Sequence, residues 1–354
     1  MSSISEPFQL SWPTLNQQKT TASFKQQPAD FRVREVLDVD DEGEGEHQWL
    51  WIKKTGANTR FVAEQLAKFA GVHPRNVSFS GMKDRNAVTW QWFSIQLPGK
   101  DTLDWQQMML EGVEVERVIR RTKKLKTGFH KANAFTIRLR DVADTERFEK
   151  NWQALCSQGT LNYFGAQRFG FNGSNLLNGR QWISAERPAK IAKGKRSIWL
   201  SAMRSYLFNQ VVAVRYQQYQ FMPLAGDCVM LQGSQSVFIA EQWDDELLSR
   251  LASEDIQLTG PMPGEDGVGN VATDALQFET SQLAQFDDWI ADFAKVRLKA
   301  ARRPYRLLLQ QPELMWQNQD AVISFTLPTG SFATACINEL IDLAVTENDE
   351  NSVE

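Results

Sequence analysis

The chain has 354 residues, 42% hydrophobic and 23% charged, with 39 basic against 43 acidic side chains and a net charge of −4; these values suit a globular protein of roughly two domains and exclude a largely disordered one. No apolar run approaches the ~20 residues of a membrane-spanning helix, and residues 1–13 lack the basic-then-apolar pattern of a secretory signal. Cys156, Cys228 and Cys336 are scattered, and His47, His73 and His130 sit at no ligand spacing, so a cytoplasmic protein with no disulfide framework and no metal site is expected.

In chain order, Phe31, Arg32, Val33 and Arg34 alternate apolar and charged as a half-buried strand does, and residues 48–53 form a short aromatic-rich strand. Between them, residues 38–46 are acidic and glycine-containing, a turn or exposed loop. Asn58 or Thr59 caps a helix carrying Phe61, Val62, Leu66, Phe69 and Ala70 at helical spacing, and Gly71 stops it. Strands are predicted at 76–80 and 89–97 around a polar loop at 81–87, and again at 113–119 and 134–139. The first ~150 residues thus read as antiparallel-rich α+β. Phe148, Trp152 and Leu155 mark a helix ending before Gly159. A Gly/Asn-rich segment, 162–180, precedes a long helix with Met203, Leu207, Val211 and Val214 on one face. A further helix is predicted over 281–299, a strand over 321–327 and a short helix over 332–343; the polar, acidic tail from Glu347 is expected to fray.

The charge is sorted along the chain. Residues 117–140 contain no acid but hold Arg117, Arg120, Arg121, Lys123, Lys124, Lys126, Lys131, Arg138 and Arg140. Two more acid-free stretches, 187–226 and 295–306, include Lys195, Arg196 and Arg204, and Lys295, Arg297, Lys299, Arg302, Arg303 and Arg306. The acids gather at 38–46, 244–246 and the tail. Local potential rather than net charge attracts phosphates, so this sorting predicts one basic and one acidic face; taken singly, each cluster is equally a solvated face.

Three constellations have chemical potential. In the loop at 81–87, Asp84 stands between Lys83 and Arg85. Adjacent cations favour its ionised form, which suits a nucleophile or general base; the same residues also suit a solvated surface turn. The segment 162–175 mixes glycines with aromatics, amides and Arg168, as a phosphate or RNA cradle would, but lacks the P-loop Lys-Ser/Thr and any dinucleotide fingerprint. A structural loop fits it equally. Asn133 and Phe135, two apart where a strand begins, share a face and are suited to bonding and stacking on a base, or to the core. There is no Ser/His/Asp elbow, HExxH or CxxC.

The segment GMKDRNAVT (81–89) resembles the G-x-K-D-x-x-A-x-T signature of the TruD family of tRNA pseudouridine synthases. Segments 28–35, 43–47, 58–60, 128–135, 162–170, 199–209 and 327–332 resemble other family blocks in family order, so the resemblance covers about Lys25 to Leu340. It implies an α+β fold: a pseudouridine synthase catalytic core with a mixed, largely antiparallel sheet (1–158 and 304–354) and an inserted α/β TRUD domain (159–303). It further implies isomerisation of uridine at position 13 of tRNA to pseudouridine, without a cofactor. Asp84 matches the catalytic aspartate. Phe31, Asn133 and Phe332 match substrate-contacting positions, and Phe135 lies where other pseudouridine synthase families have tyrosine. Lys83 and Lys25 match basic positions, with Glu35 a candidate ion-pair partner. The RNA contacts expected with it are Arg121, Lys123, Lys124, Lys126, Arg168, Lys195, Arg196 and Arg204. tRNA is the partner, and a monomer is expected. Two competing readings are a metal-dependent nuclease, which requires further carboxylates beside Asp84 and sensitivity to EDTA, and a non-catalytic RNA-binding protein indifferent to loss of Asp84.

Overall fold

The computed structural model describes Phe8 and residues 10–342; the tail from Glu347 lies outside them. In chain order the strands and helices are β1 (Ser23–Phe24), β2 (Phe31–Val36), β3 (His47–Thr55), α1 (Thr59–Ala70), β4 (Val77–Phe79), β5 (Val88–Gln96), β6 (Val113–Arg121), β7 (Ala132–Arg140), α2 (Thr145–Gln158) and β8 (Thr160–Leu161). Then follow α3 (Ser174–Ser184), α4 (Lys193–Tyr219), β9 (Asp227–Leu231), β10 (Val237–Ala240), α5 (Asp245–Ala252), β11 (Ile256–Met262), α6 (Thr273–Leu283), α7 (Asp287–Phe293), β12 (Ala301–Pro304), β13 (Arg306–Leu307), β14 (Gln310–Gln317), β15 (Asp320–Pro328) and α8 (Ala333–Ile337). The protein is α+β. The chain divides into two compact units, one made of Gln18–Gln158, Leu308–Ala333 and the described residues from Leu340, the other of the described residues up to Gln17, Gly159–Leu307 and Thr334–Glu339.

The first unit is built on a nine-stranded sheet in the order β14-β15-β7-β2-β5-β3-β6, with β1 added to β7 and β4 to β5. Only the β2–β5 pair is parallel; the other pairs are antiparallel. The alternation read for β2 is realised: Phe31, Val33 and Glu35 are buried and Arg32, Arg34 and Val36 exposed. Asn58 caps α1 by accepting the Arg60 N–H at 2.8 Å, and Gly71 ends it at φ 63°.

Pairing places Phe31 beside Ile137, Val33 beside Phe135 and Thr89, and Glu35 beside Asn133, while Lys54 faces Thr89 and Ile52 faces Gln91. All of these share one face, because directly paired residues point the same way. At one end of this face α1 packs Val62, Leu66 and Ala70 against Leu50, Ile52, Phe93 and Ile95. At the other, Trp152 and Phe148 of α2 meet Phe325 and Trp316. Over β7, β2, β5 and β3 the same face also carries the polar side chains of Asn133, Glu35, Thr89, Gln91 and Lys54.

In the second unit β10-β9-β11-β12 form an antiparallel sheet and β8 pairs with β13. Here α4, 27 residues long, buries Met203, Leu207 and Val211 as its spacing predicted, while Val214 on the same face is only half-buried. Tyr206 on the same helix sits among Phe8, Trp12, Phe169, Phe286 and Trp289. Two buried ion pairs brace the unit: Arg302 with Glu279 (2.6 Å) and Arg215 with Asp227 (2.7 Å).

Several expectations change. The Gly/Asn-rich segment 162–180 runs into a helix that its composition did not predict, α3, which begins at Ser174. The helix predicted over 281–299 is two helices, α6 starting at Thr273 and α7 ending at Phe293, joined by the 3-10 turn Ala284–Phe286. A 3-10 turn advances three residues per turn, so Leu283, Phe286 and Trp289 keep a near-helical spacing across the break and the period hides it. The strand β14, directly before β15, was not anticipated: its alternating exposure pattern contains no fully buried residue, and an edge strand with one open face has a weak hydrophobic signal.

Candidate active site

Asp84 projects from the loop between β4 and β5, and its local geometry is tightly specified. Lys25 donates from Nζ to Asp84 Oδ2 at 2.9 Å, and the same ammonium lies 4.1 Å from the centre of the Phe31 ring. From beneath, Lys54 Nζ donates to the backbone carbonyls of Ala57 (2.8 Å) and Asp84 (3.2 Å). Lys54 has no solvent exposure, and burial, with some help from Lys83, pulls its ammonium down to about 8 against the opposing pull of Asp84. The Thr59 hydroxyl accepts the Lys83 N–H (3.1 Å) and donates to Gln91 Oε1 (3.1 Å), whose Nε2 donates to the Gly81 carbonyl (3.1 Å). The loop is therefore nailed to α1, β3 and β5, and is not a solvated turn. The Asp84 side chain keeps 33% exposure, so it is oriented yet reachable.

The second carboxylate is enclosed. Glu35 Oε1 lies 2.8 Å from Lys83 Nζ, the side chains being 0% and 5% exposed, and Glu35 Oε2 accepts the Trp92 N–H at 3.0 Å. Burial raises the Glu35 carboxyl above the ordinary carboxylate range, opposed by Lys83 and the Trp92 N–H. Glu35 thus holds Lys83, and through it the chain on the N-terminal side of Asp84. Beside this pair, His130 Nδ1 is 2.6 Å from Ser80 Oγ and His130 Nε2 is 3.3 Å from Asn133 Nδ2.

Phe31 and Phe135 are almost fully buried and meet edge to face with centroids 6.0 Å apart; Phe24 packs on Phe31 and Phe325 on Phe135. Phe135 is about as enclosed as Phe31, packed between that ring and Phe325. Phe332 is half-buried, three residues beyond Thr329, whose hydroxyl donates to the His130 carbonyl at 2.6 Å. Asp84, Lys25 and Phe31 form one group, and Lys83, Glu35, His130 and Asn133 another, joined through the backbone from Lys83 to Asp84. Lys54, Thr59, Gln91, Ser80 and His130 escaped the sequence reading. Their signal was available: polar side chains at inward-pointing positions of otherwise apolar strands, as at Lys54 and Gln91.

The basic residues separate by environment. Lys123, Lys124 and Lys126 are exposed, although Lys124 Nζ donates to the Arg75 carbonyl at 3.2 Å. Arg121 is occupied, with Glu42 Oε1 at 2.7 Å and the Trp49 ring at 5.2 Å. In the second unit Lys195 and Arg196 are exposed, the former over Trp199 and the latter bonded to the Val296 carbonyl. Arg168 donates to Ser201 Oγ (3.1 Å) and Arg204 to the Met262 carbonyl (2.7 Å), and burial lowers both guanidiniums. The division into one acidic and one basic face does not hold at residues 38–46: Asp41 accepts the Arg120 N–H and Glu42 pairs with Arg121. Nor is 295–306 a free basic stretch, since Lys295, Lys299 and Arg302 pair with Asp292, Glu265 and Glu279.

Among the described residues no three His, Cys, Asp or Glu side chains converge as a metal site needs, and no helix is long and apolar enough to cross a membrane. Fold and site together describe an α+β protein whose mixed sheet carries, in the loop before β5, a partly exposed aspartate braced by lysines. The family model for tRNA pseudouridine synthase D (TruD) matches residues 9–187 and 175–340, and the chain belongs to that family. It is 56% identical to the tRNA pseudouridine synthase D of Idiomarina loihiensis over 91% of this chain and 93% of that protein, and 43% identical to that of Proteus mirabilis over 91% and 92%. A crystal structure from Methanosarcina mazei, provisionally assigned to TruD, matches with a TM-score of 0.71 at 19% identity, over 92% of this chain and 94% of that one; that likeness speaks for the fold alone.

Proposed function

We propose that this protein isomerises uridine to pseudouridine in tRNA, at position 13, with Asp84 as the reacting carboxylate and without a cofactor. The observation that carries the reading is the holding of Asp84: a partly exposed carboxylate fixed at Oδ2 by Lys25 and at its backbone by Lys54, inside a family whose members are named for this reaction. Oriented groups of this kind act on a bound substrate without the entropic cost of finding it.

The chemistry sets what the site must do. The C1′–N1 bond breaks, the uracil turns, a C1′–C5 bond forms, and the C5 hydrogen leaves as N1 gains one. A carboxylate serves either by adding covalently to the sugar or base, or by removing the 2′ proton so that a glycal forms. The detached base must be held meanwhile, and Phe31 and Phe332 would wall it while Asn133 bonds to it. A stacked uridine must first leave its helix at a cost of a few kcal/mol, offset by phosphate contacts. The unit containing the nine-stranded sheet is the catalytic one in this reading, and the inserted domain at 159–303, which makes up most of the second unit, adds RNA contacts through Lys195 and Arg196. The protein acts as a monomer in the cytoplasm.

Tritium release from tRNA transcripts carrying 5-[³H]uridine reads the reaction directly. The wild type should release tritium with and without EDTA, mapped to position 13. Asp84→Asn should lower the rate by at least about 10³-fold. Undiminished release by Asp84→Asn, or none by the wild type with any tRNA, would overturn the reading.

A further inference from the structure

Buried Ser80 and His130 and half-buried Asn133 form a polar chain that takes no part in the bond changes above. His130 is clamped. Its backbone N–H donates to Ser80 Oγ at 2.9 Å, and its carbonyl accepts from Thr329 Oγ1 at 2.6 Å. A side chain at residue 81 would bring a Cβ within 3.2 Å of the ring, so only glycine leaves the imidazole undisturbed there. Ring atom Nδ1 faces Ser80 Oγ at 2.6 Å and the Glu35 carboxylate at 3.9 Å. The Glu35 carboxylate favours a proton on Nδ1, which the Ser80 hydroxyl oxygen can accept, and this leaves Nε2 as a lone pair. Burial, reinforced by Lys83, holds the imidazole down at about 4, so the ring is neutral near pH 7. Nε2 then accepts from Asn133 Nδ2, 3.3 Å away. The amide is thereby turned with its oxygen away from the ring. Asn133 Oδ1 is buried and has no hydrogen-bond partner among the described residues; a buried acceptor left this way is costly unless a ligand supplies the donor.

We infer that His130 is a positioning residue, fixing the Asn133 amide so that its oxygen accepts the N3–H of a bound uracil and discriminates against cytosine, whose N3 is a lone pair. This rests on the proposed activity, and the chemistry of that activity adds a second consequence. Exchanging N1 for C5 is a half-turn about the axis through N3 and C6. N3 lies on that axis, so a single acceptor at Asn133 keeps its bond while the two ring carbonyls change places. The detached base is held throughout by the group that selected it.

The test compares binding of tRNAs carrying uridine, cytidine or 3-methyluridine at the modified position to the full-length Asp84→Asn protein, alone and with a second substitution. The uridine tRNA should bind best. His130→Ala and, independently, Ser80→Ala should cut that preference roughly tenfold, the worth of one good hydrogen bond to the base. His130→Gln, whose side chain still offers an acceptor to Asn133 Nδ2, should keep most of it. Adding Asn133→Ala to His130→Ala should cost no further preference, because both act through one bond. An unchanged preference in both His130→Ala and Ser80→Ala, uniform weakening for all three tRNAs, or additive losses with Asn133→Ala would each overturn the inference. Tritium release by the wild type is run alongside: its absence fails the activity itself, whereas normal release with unmoved preferences fails only the role of His130.

Discussion

Lys83 and Glu35 are buried side by side, 2.8 Å apart, and neither charge has water to fall back on. Removing one partner of such a pair strands the other, which costs far more than the intact pair contributes. Lys83→Met should therefore lower the unfolding free energy by about 3–5 kcal/mol, read from urea denaturation. Glu35→Gln added to it should recover most of the loss, because the stranded charge is gone while the Trp92 N–H keeps an acceptor. Equal destabilisation by the single and double variants would mean that Lys83 acts through packing alone. At this scale the sequence was informative about identity and uninformative about company. Asp84, Lys83 and Glu35 were legible in their motifs. That Lys25 would meet Asp84 from 59 residues away, or that His130 would meet Ser80 from 50 away, depends on strand pairing that no local spacing encodes.

Among the elements, the acidic segment 38–46 has a role that its composition disguised. β6 is the last strand of its sheet path, and such an edge leaves backbone groups open to pairing with other chains. The acidic segment occupies that edge: Glu42 N–H donates to the Arg120 carbonyl at 3.1 Å, Asp41 Oδ1 accepts the Arg120 N–H at 2.9 Å, and Glu42 Oε2 accepts from the Thr122 N–H at 2.7 Å. Gly45 permits the approach. At φ 103° a Cβ there would lie 2.3 Å from the Arg121 carbonyl oxygen, an overlap that the backbone on both sides must move to relieve. Gly45→Ala should thus destabilise the protein by about 1–3 kcal/mol and speed hydrogen exchange at Arg120 and Thr122 above other β6 amides. Unchanged exchange there would show that the loop does not protect the edge. The helix at α1 was readable because its cap, apolar stripe and terminal glycine are all local; the edge cover was not, since a run of acids carries no record of which strand it lies against.

Over the whole molecule, a net charge of −4 and three acid-free stretches suggested segregated potential, and tertiary structure redistributes it. The stretch 295–306 spends Arg302 on Glu279 in the interior and Lys295 on Asp292. Between β6 and β7, by contrast, Lys123 and Lys126 remain exposed, as counterion-releasing phosphate contacts require. Lys123→Glu with Lys126→Glu should weaken tRNA binding and flatten its logarithmic salt dependence by about one to two units of slope, measured by titration between 50 and 200 mM salt. An unchanged slope would remove this segment from the RNA footprint.

By itself the sequence determined the fold class, most elements of the first unit and the motif around Asp84. These rest on properties within reach of a few neighbours: alternation in β2, capping in α1, and the cationic flanks of Asp84. Tertiary structure alone decided which charges are spent inside the protein and which face solvent. It also decided that α6 and α7 are separate helices, and that Lys54, Gln91, Ser80 and His130 gather around Asp84 and Asn133. The physical reason is that a side chain's electrostatic partners are set by sheet register and by loops crossing tens of residues, and a run of lysines reads identically whether a carboxylate from elsewhere in the chain will meet it or water will.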